Sequence, residues 1–250
     1  MRRQRAYVDD ATRAVICDRV RNHGDVGGAR VQRAQGGGCT RAHQLRQAFG
    51  QFGIHLPDAG RLQPARDQLL HHFGLPMPRT VVVRSVDGID DVIDEFKFPV
   101  ILKVPYGSQG LGVFIAESKR SLIPFAEHLL KRGAIKEPIK IQEYIAEAEG
   151  KDLRLFVVGK KVIASMERSA APGEFRANFS RGGSVIKITP TKTEKQLAVE
   201  ATKRMVLDFS GVDMLRTKHG PVIIEVNSNP GYEGIMQATG VDIPKMIIEL

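Results

Sequence analysis

From about Thr80 onward, apolar and polar positions follow two different periods, and the switches between them mark strands and helices. Thr80 to Val83 reads as a short strand, and Asp87 to Phe96 as a helix with Ile89, Val92, Ile93 and Phe96 on one face. Pro99 to Val104 reads as a buried strand running into the glycine-rich stretch GSQGLG, from which Val113 to Ala116 returns as a second strand. Leu122, Phe125, Ala126 and Leu129 mark a helical face that ends before Gly133, and Ile139 to Ile145 reads as a further strand. Two hairpins follow, on either side of a helix. Its start carries a capping box, Thr191 with Glu194, and its inner stripe is Leu197, Ala201 and Met205. No repeat of fixed period is visible. The pattern is that of an α+β or α/β chain, with hairpins making most of the strand pairing antiparallel.

Strand parity then locates the polar groups. Gly211 to Thr217 and Pro221 to Asn227 flank Lys218-His219-Gly220; with His219 at the centre, Asp213 faces Glu225, and Asn227 follows on the same face. Opposed carboxylates destabilise a hairpin unless a cation sits between them. Two carboxylates and an amide oxygen are hard ligands, suited to magnesium that bridges to phosphates. A solvated acidic pair is the other reading, and His219 is read as a turn residue. The hairpin from Asp152 to Arg168 is expected to turn at Gly159-Lys160. That would set Asp152, Arg154, Ser165 and Glu167 on a polar face, and Leu153, Leu155, Val157, Ala164 and Met166 on a core face.

Two loops carry further chemistry. In KVPYGSQGLGV, Gly107, Gly110 and Gly112 let the backbone approach a ligand and turn its amides toward anions, while Lys103 ends the entering strand. The stretch is neither a Walker loop nor a dinucleotide fingerprint, since no GK[ST] is present and no helix follows at once. A phosphate cradle and a flexible hairpin both fit it. In FRANFSRGG, Arg176, Asn178 and Arg181 lie beside a glycine pair; guanidinium forks grip phosphate or carboxylate, although surface arginines are the plainer reading of each alone.

Composition narrows the classes. At 250 residues and 27.6 kDa the chain can bury a sizeable core, and it has no apolar run of the roughly 18 to 20 residues a membrane helix needs. Trp is absent and aromatics are 6%, which argues against a stacking platform for single strands of nucleic acid. Cys17 and Cys39 make neither a zinc site nor a disulfide scaffold, which points to the cytoplasm. The basic start meets Asp9 and Asp10 without an apolar segment, unlike a signal peptide. The net charge of +9 is unevenly built: every cationic residue before Lys97 except histidine is arginine, and residues 1–55 form an Arg- and Gly-rich lead-in or lobe remnant. That lead-in is the sole support for a basic nucleic-acid-binding protein.

Taken in order, KVPYGSQGLGV, QEYIAEAEGKDLR, FRANFSRGG, GVDML and IIEVNSNPGYEGI resemble the ATP-grasp ligases. Above all they resemble the RimK-type glutamate ligases, which modify the sixth small-subunit ribosomal protein, and their small-molecule-ligating relatives. The resemblance runs from about Leu56 to Leu250. It implies an α+β ATP-grasp fold, in which two α+β lobes with antiparallel sheets clamp ATP. The smaller lobe would span about 80–143 and the metal-binding lobe about 144–250. It also implies a reaction in which ATP, with Mg²⁺ or Mn²⁺, phosphorylates a carboxylate and an amine displaces the phosphate. The amine would belong to glutamate or a similar amino acid, and the acceptor would be a ribosomal protein C-terminus or a small molecule.

Carried over by residue, Lys103 matches the lysine that reaches the α- and β-phosphates; the stretch with Gly107, Gly110 and Gly112 would act as a lid that keeps water from the acylphosphate. Glu143 and Tyr144 match the interlobe strand that reads adenine, and Asp152 a further nucleotide-binding acid. Arg176 and Asn178 match phosphate-side residues, and Arg176 with Arg181 would stabilise the transferring phosphoryl group or the tetrahedral intermediate. Asp213, Glu225 and Asn227 match the metal ligands. Relatives commonly form homo-oligomers; contact with membranes or directly with nucleic acid is not implied. Two departures stand out. Residues 1–50 lack the strand–helix alternation of the family's N-terminal lobe, and Gln68 stands near where relatives carry a nucleotide-contacting lysine. These departures motivate a second reading, a nucleotide-binding subunit without turnover.

Overall fold

The computed structural model describes residues 63–104, 112–131, 138–171, 173–175, 177 and 183–250. The expectations for residues 1–55, Gly107, Gly110, Arg176, Asn178 and Arg181 lie outside the described residues. The elements run α1 (Gln63–His72), β1 (Thr80–Val83), α2 (Asp87–Ile93), β2 (Val100–Lys103), β3 (Val113–Ala116), α3 (Lys119–Lys131) and β4 (Ile139–Glu143). After a short 3₁₀ turn come β5 (Lys151–Val158), β6 (Lys161–Ser169), β7 (Ser184–Lys187), α4 (Lys192–Arg204), β8 (Phe209–Thr217), β9 (Gly220–Asn227), α5 (Glu233–Thr239) and α6 (Ile243–Ile248). The strands form two sheets, ordered β1-β4-β2-β3 and β7-β6-β5-β8-β9, with every pairing antiparallel. This is the expected α+β class, with two antiparallel sheets and flanking helices. No described helix is long and apolar enough to cross a membrane.

In the smaller sheet, alternation separates a core face from a face that carries two lysines. Val81, Val83, Val100, Leu102, Ile139 and Ile141 are buried against Ile89 and Ile93 of α2 and Leu122 and Ala126 of α3. Side chains of this size contribute roughly 1.5–3 kcal/mol each on full burial. The opposite face carries Lys103 directly across from Lys140, and beyond them Ile101 across from Gln142.

The larger sheet is buried on both sides. Leu153, Leu155, Val157, Val212 and Met214 pack with Leu69 and Leu70 of α1 and with Leu197, Ala201 and Met205 of α4. Phe156, Val158, Ala164 and Met166 pack on the other side with Ile235 of α5 and Ile243 of α6. Helix α4 begins at the expected capping box, in which Thr191 Oγ1 accepts from the Glu194 amide and the Glu194 carboxylate accepts from the Thr191 amide.

Two β-bulges set the registers that matter. Near their turn, β5 and β6 pair as expected, Val158 with Lys161 and Val157 with Val162, but Phe156 pairs with Ala164, so Ile163 is the extra residue. Beyond it Asp152 lies across from Arg168, and Arg154 from Met166. This corrects the expected faces. Ser165 and Glu167 share the face of Leu155 and Leu153, whereas Ala164 and Met166 join Phe156 and the polar Asp152 and Arg154. The polar groups occupy one end of an otherwise apolar face, because the bulge shifts parity by one residue.

In β8 and β9 the turn is tighter than expected, with Thr217 across from Gly220 and Met214 from Ile223. A second bulge leaves Ile224 over, and Asp213 pairs with Glu225 and Gly211 with Asn227. The expected opposition of Asp213 and Glu225 is therefore present, reached by a tighter turn and a compensating extra residue. His219 sits in the turn, as read from sequence, and its amide donates to Thr217 Oγ1.

Candidate active site

Asp152, Arg154, Arg168, Asp213, Glu225 and Asn227 all lie on one face at one end of the larger sheet, because directly paired residues of an antiparallel sheet point the same way. Arg154 forks onto Asp213, with Nε to Oδ1 and Nη2 to Oδ2 both at 2.7 Å. Arg168 forks onto Asp152, with Nε to Oδ1 at 2.6 Å and Nη2 to Oδ2 at 2.7 Å. Its Nη2 also lies 2.9 Å from Asp213 Oδ2. The four groups form a continuous buried chain, Asp152–Arg168–Asp213–Arg154, and Asp213 is 2% exposed.

The protonation of the chain follows from how the guanidinium groups are shared. Burial, and then the neighbouring Asp213 carboxylate, pushes the Asp152 carboxyl up to about 6 against the pull of Arg168, which Asp152 shares with Asp213. Burial acts upward on Asp213 too, but Arg154 and Arg168 together outweigh it and hold this carboxyl below its ordinary value. Arg168 is held above its ordinary range, since Asp213 and Asp152 outweigh the burial that opposes its charge.

The smaller sheet faces this cluster. Burial, and secondarily the ammonium of Lys140, lowers Lys103 to about 8, while Glu225, Asp67 and Asp213 lie close enough to oppose the shift. Lys140 is 4% exposed, and its ammonium pairs with Asp67 of α1. One residue earlier on α1, Arg66 donates from Nη2 to Ser228 Oγ at 2.9 Å and from Nη1 to the Val226 carbonyl at 3.4 Å. Burial lowers the Arg66 guanidinium despite the nearby carboxylates of Glu225 and Asp67. Helix α1 therefore touches both sheets through successive residues.

The remaining sequence-predicted residues are placed as follows. Glu143 ends β4, exposed, and its backbone amide donates to the Arg79 carbonyl at 2.8 Å; Tyr144 follows it, partly buried, in the segment that leads to the larger sheet. Gly112 has φ +82°, a left-handed conformation suited to glycine, and its carbonyl accepts from the Val104 amide at 2.9 Å. This bond extends the pairing of β2 with β3 by one step. Sequence reading missed three residues. Arg168 was hidden by the Ile163 bulge, and Arg154 was placed on the polar face without a partner being assigned. Lys140 was detectable from the alternation of Ile139-Lys140-Ile141-Gln142, which turns Lys140 and Gln142 to the face of Lys103.

Among the described residues no group of three His, Cys, Asp or Glu side chains could hold a metal, so Asp213 and Glu225 need the amide oxygen of Asn227. On Asp213, Oδ2 receives two guanidinium N–H groups and Oδ1 receives one. A carboxylate oxygen accepts about twice, so Oδ1 keeps a lone pair for a hard cation. Two carboxylates and an amide fit magnesium chemistry.

Two opposed lysines on the smaller sheet thus face an acidic pair on the larger one. The RimK-like ATP-grasp domain model matches residues 65–250. "Probable alpha-L-glutamate ligase 1" of Pseudoalteromonas atlantica is 47% identical over 209 residues, covering 81% of this chain and 68% of that protein. "Probable alpha-L-glutamate ligase" of Methanococcoides burtonii is 46% identical over 217 residues, covering 83% and 70%. The structure of the ATP-grasp ligase PsnB, complexed with a phosphomimetic variant of its minimal precursor, Mg and ADP, superposes with a TM-score of 0.59 at 23% identity. That alignment covers 76% of this chain, which spans 58% of the length of PsnB. The chain belongs to the RimK-like ATP-grasp family. It is an ATP-dependent ligase that joins a carboxylate to an amine.

Proposed function

We propose that the chain transfers the γ-phosphoryl group of ATP to an acceptor carboxylate and then lets the amine of glutamate, or of a similar amino acid, displace the phosphate. The observation that carries this reading is the opposition of Asp213 and Glu225 across β8 and β9, with Lys103 facing them from the other sheet. Glutamate enters from the names of the relatives above, and the acceptor is a peptide C-terminus or a small molecule with a terminal carboxylate.

Lys103 and the glycine-rich stretch containing Gly107, Gly110 and Gly112 hold the phosphates, while Glu143 and Tyr144, between the sheets, receive adenine. Asp152 fixes Arg168, and Arg154 and Arg168 keep Asp213 ionised and oriented. Asp213, Glu225 and Asn227 would hold Mg²⁺, with Mn²⁺ accommodated by the same oxygen donors; the ion supplies charge neutralisation on the phosphates. Arg176, Asn178 and Arg181 complete the phosphate side. In the first step an acceptor carboxylate oxygen bonds to γ-phosphorus as the bond to ADP breaks, giving an acylphosphate. In the second, the amine nitrogen bonds to the acyl carbon, a proton leaves the nitrogen, and inorganic phosphate departs. Phosphoryl transfer of this kind needs positioning and charge rather than a protein nucleophile.

The test is incubation with ATP, Mg²⁺, glutamate and peptides bearing free C-termini, following ADP and acceptor mass. Acceptor-dependent ADP release with gain of a glutamyl residue is expected. ATP binding with no ADP release for any acceptor would replace this reading by a silent nucleotide-binding subunit.

A further inference from the structure

Lys140 lies in the middle of the smaller sheet, with Lys103 directly across from it on β2 and Val82 on β1. Directly opposed like charges destabilise strand pairing, and a buried lysine–carboxylate pair by itself gains little over an apolar pair of the same size. A lysine kept only to anchor α1 through Asp67 would stand better beside an uncharged neighbour. Here two ammonium groups share one face, and Asp67 is paired with Lys140. The same face looks toward Glu225 and Asp213, the acids assigned above to the metal. Asp67 lies on α1 next to Arg66, so Lys140 brings its ammonium to the helix that also reaches Ser228 of the larger lobe.

We propose that Lys140 is a second phosphate-binding ammonium, delivered from β4 beside Lys103, and that Asp67 holds it in place until a nucleotide polyphosphate arrives. This rests on the ATP site described above and adds to it a residue on a different strand. The phosphate oxygens take up the donors that Asp67 does not use, since an ammonium has three. Withdrawal from bulk water strengthens each such contact.

The experiment measures dissociation constants of ATP and adenosine for the full chain and three variants, by calorimetry with Mg²⁺ present, alongside thermal unfolding without nucleotide. Lys140→Arg keeps the charge, Lys140→Gln removes it, and Asp67→Asn/Lys140→Gln replaces the ion pair by two amides able to bond each other. The double variant controls for folding, because it leaves no unpaired buried charge. The expected result is a loss of about tenfold or more in ATP affinity for both glutamine variants, with adenosine affinity unchanged and Lys140→Arg close to wild type. ATP affinity in the double variant equal to wild type overturns the proposal, as does an equal loss for adenosine, which would mark a purely structural pair. A wild-type chain that binds ATP but forms no amide sinks the ligase reading alone; one that binds no ATP sinks both.

Discussion

Replacing Lys103 by methionine should make the protein more stable and unable to hold ATP. The folded state holds the Lys103 ammonium at about 8 against an ordinary 10.5, chiefly through burial and then through the facing Lys140. At roughly 1.4 kcal/mol per pH unit, that difference is a folding penalty of about 3 kcal/mol whenever both folded and unfolded chains are protonated. Methionine has similar length and fills the same space without charge, so a gain of about 2–3 kcal/mol is expected at neutral pH. The sign with pH follows from proton counts. Between about 8 and 10.5 the unfolded chain binds more protons at this position than the folded chain, so wild-type stability rises and the penalty disappears. Urea unfolding of both proteins near pH ~7 and pH ~9.5 should therefore show the variant ahead at the lower value and the gap narrowing at the higher. A variant less stable than wild type at neutral pH, or a gap insensitive to pH, would refute the reasoning. Unchanged ATP affinity would refute the assignment of Lys103 to the phosphates.

Asp213 and Glu225 should respond differently to neutralisation although they face each other. Asp213→Asn leaves Arg154 and Arg168 buried beside a neutral group and should cost about 3–5 kcal/mol in urea unfolding. Glu225→Gln, at a less buried position, should change stability by about 1 kcal/mol or less while abolishing turnover and weakening Mg²⁺ binding; full activity in Glu225→Gln would end its role as a ligand. At Gly211, across from Asn227, an added Cβ would lie 2.6 Å from Pro230 Cβ. Gly211→Ala should thus lower stability by about 1–3 kcal/mol, and an unchanged melting temperature would show that the Pro230 segment yields freely.

The sequence made the fold legible wherever periodicity was strong. The smaller sheet, α3, α4 and its capping box follow from the spacing of Val, Ile and Leu and from Thr191 with Glu194, all of which act locally. Helix α1 was not legible, because its anchors, Arg66 on Ser228 and Asp67 on Lys140, are distant in the chain. The site was legible as a list of residue types and less so as a network. Asp213 and Glu225 were placed opposite each other because an overestimated turn and an unforeseen bulge cancelled. The hairpin of β5 and β6 has no such cancellation, so Ser165 and Glu167 lie on the face opposite to the expected one, and the bonds of Arg168 to Asp152 and Asp213 do not follow from spacing. Parity is conserved along a strand only until one residue drops out of the ladder, and nothing in the composition of Ile163 or Ile224 announces that they do.

Those two isoleucines also carry slack. Each is a residue in excess of what its partner strand needs between turn and site. Shortening either strand by one position can be absorbed by flattening the ladder, after which Arg168 still meets Asp152 and Glu225 still meets Asp213. A residue added between bulge and site has no such outlet and would rotate a guanidinium or a carboxylate into the oily interior. Length variation in these hairpins is therefore one-sided: the protein can lose a residue there far more easily than it can gain one.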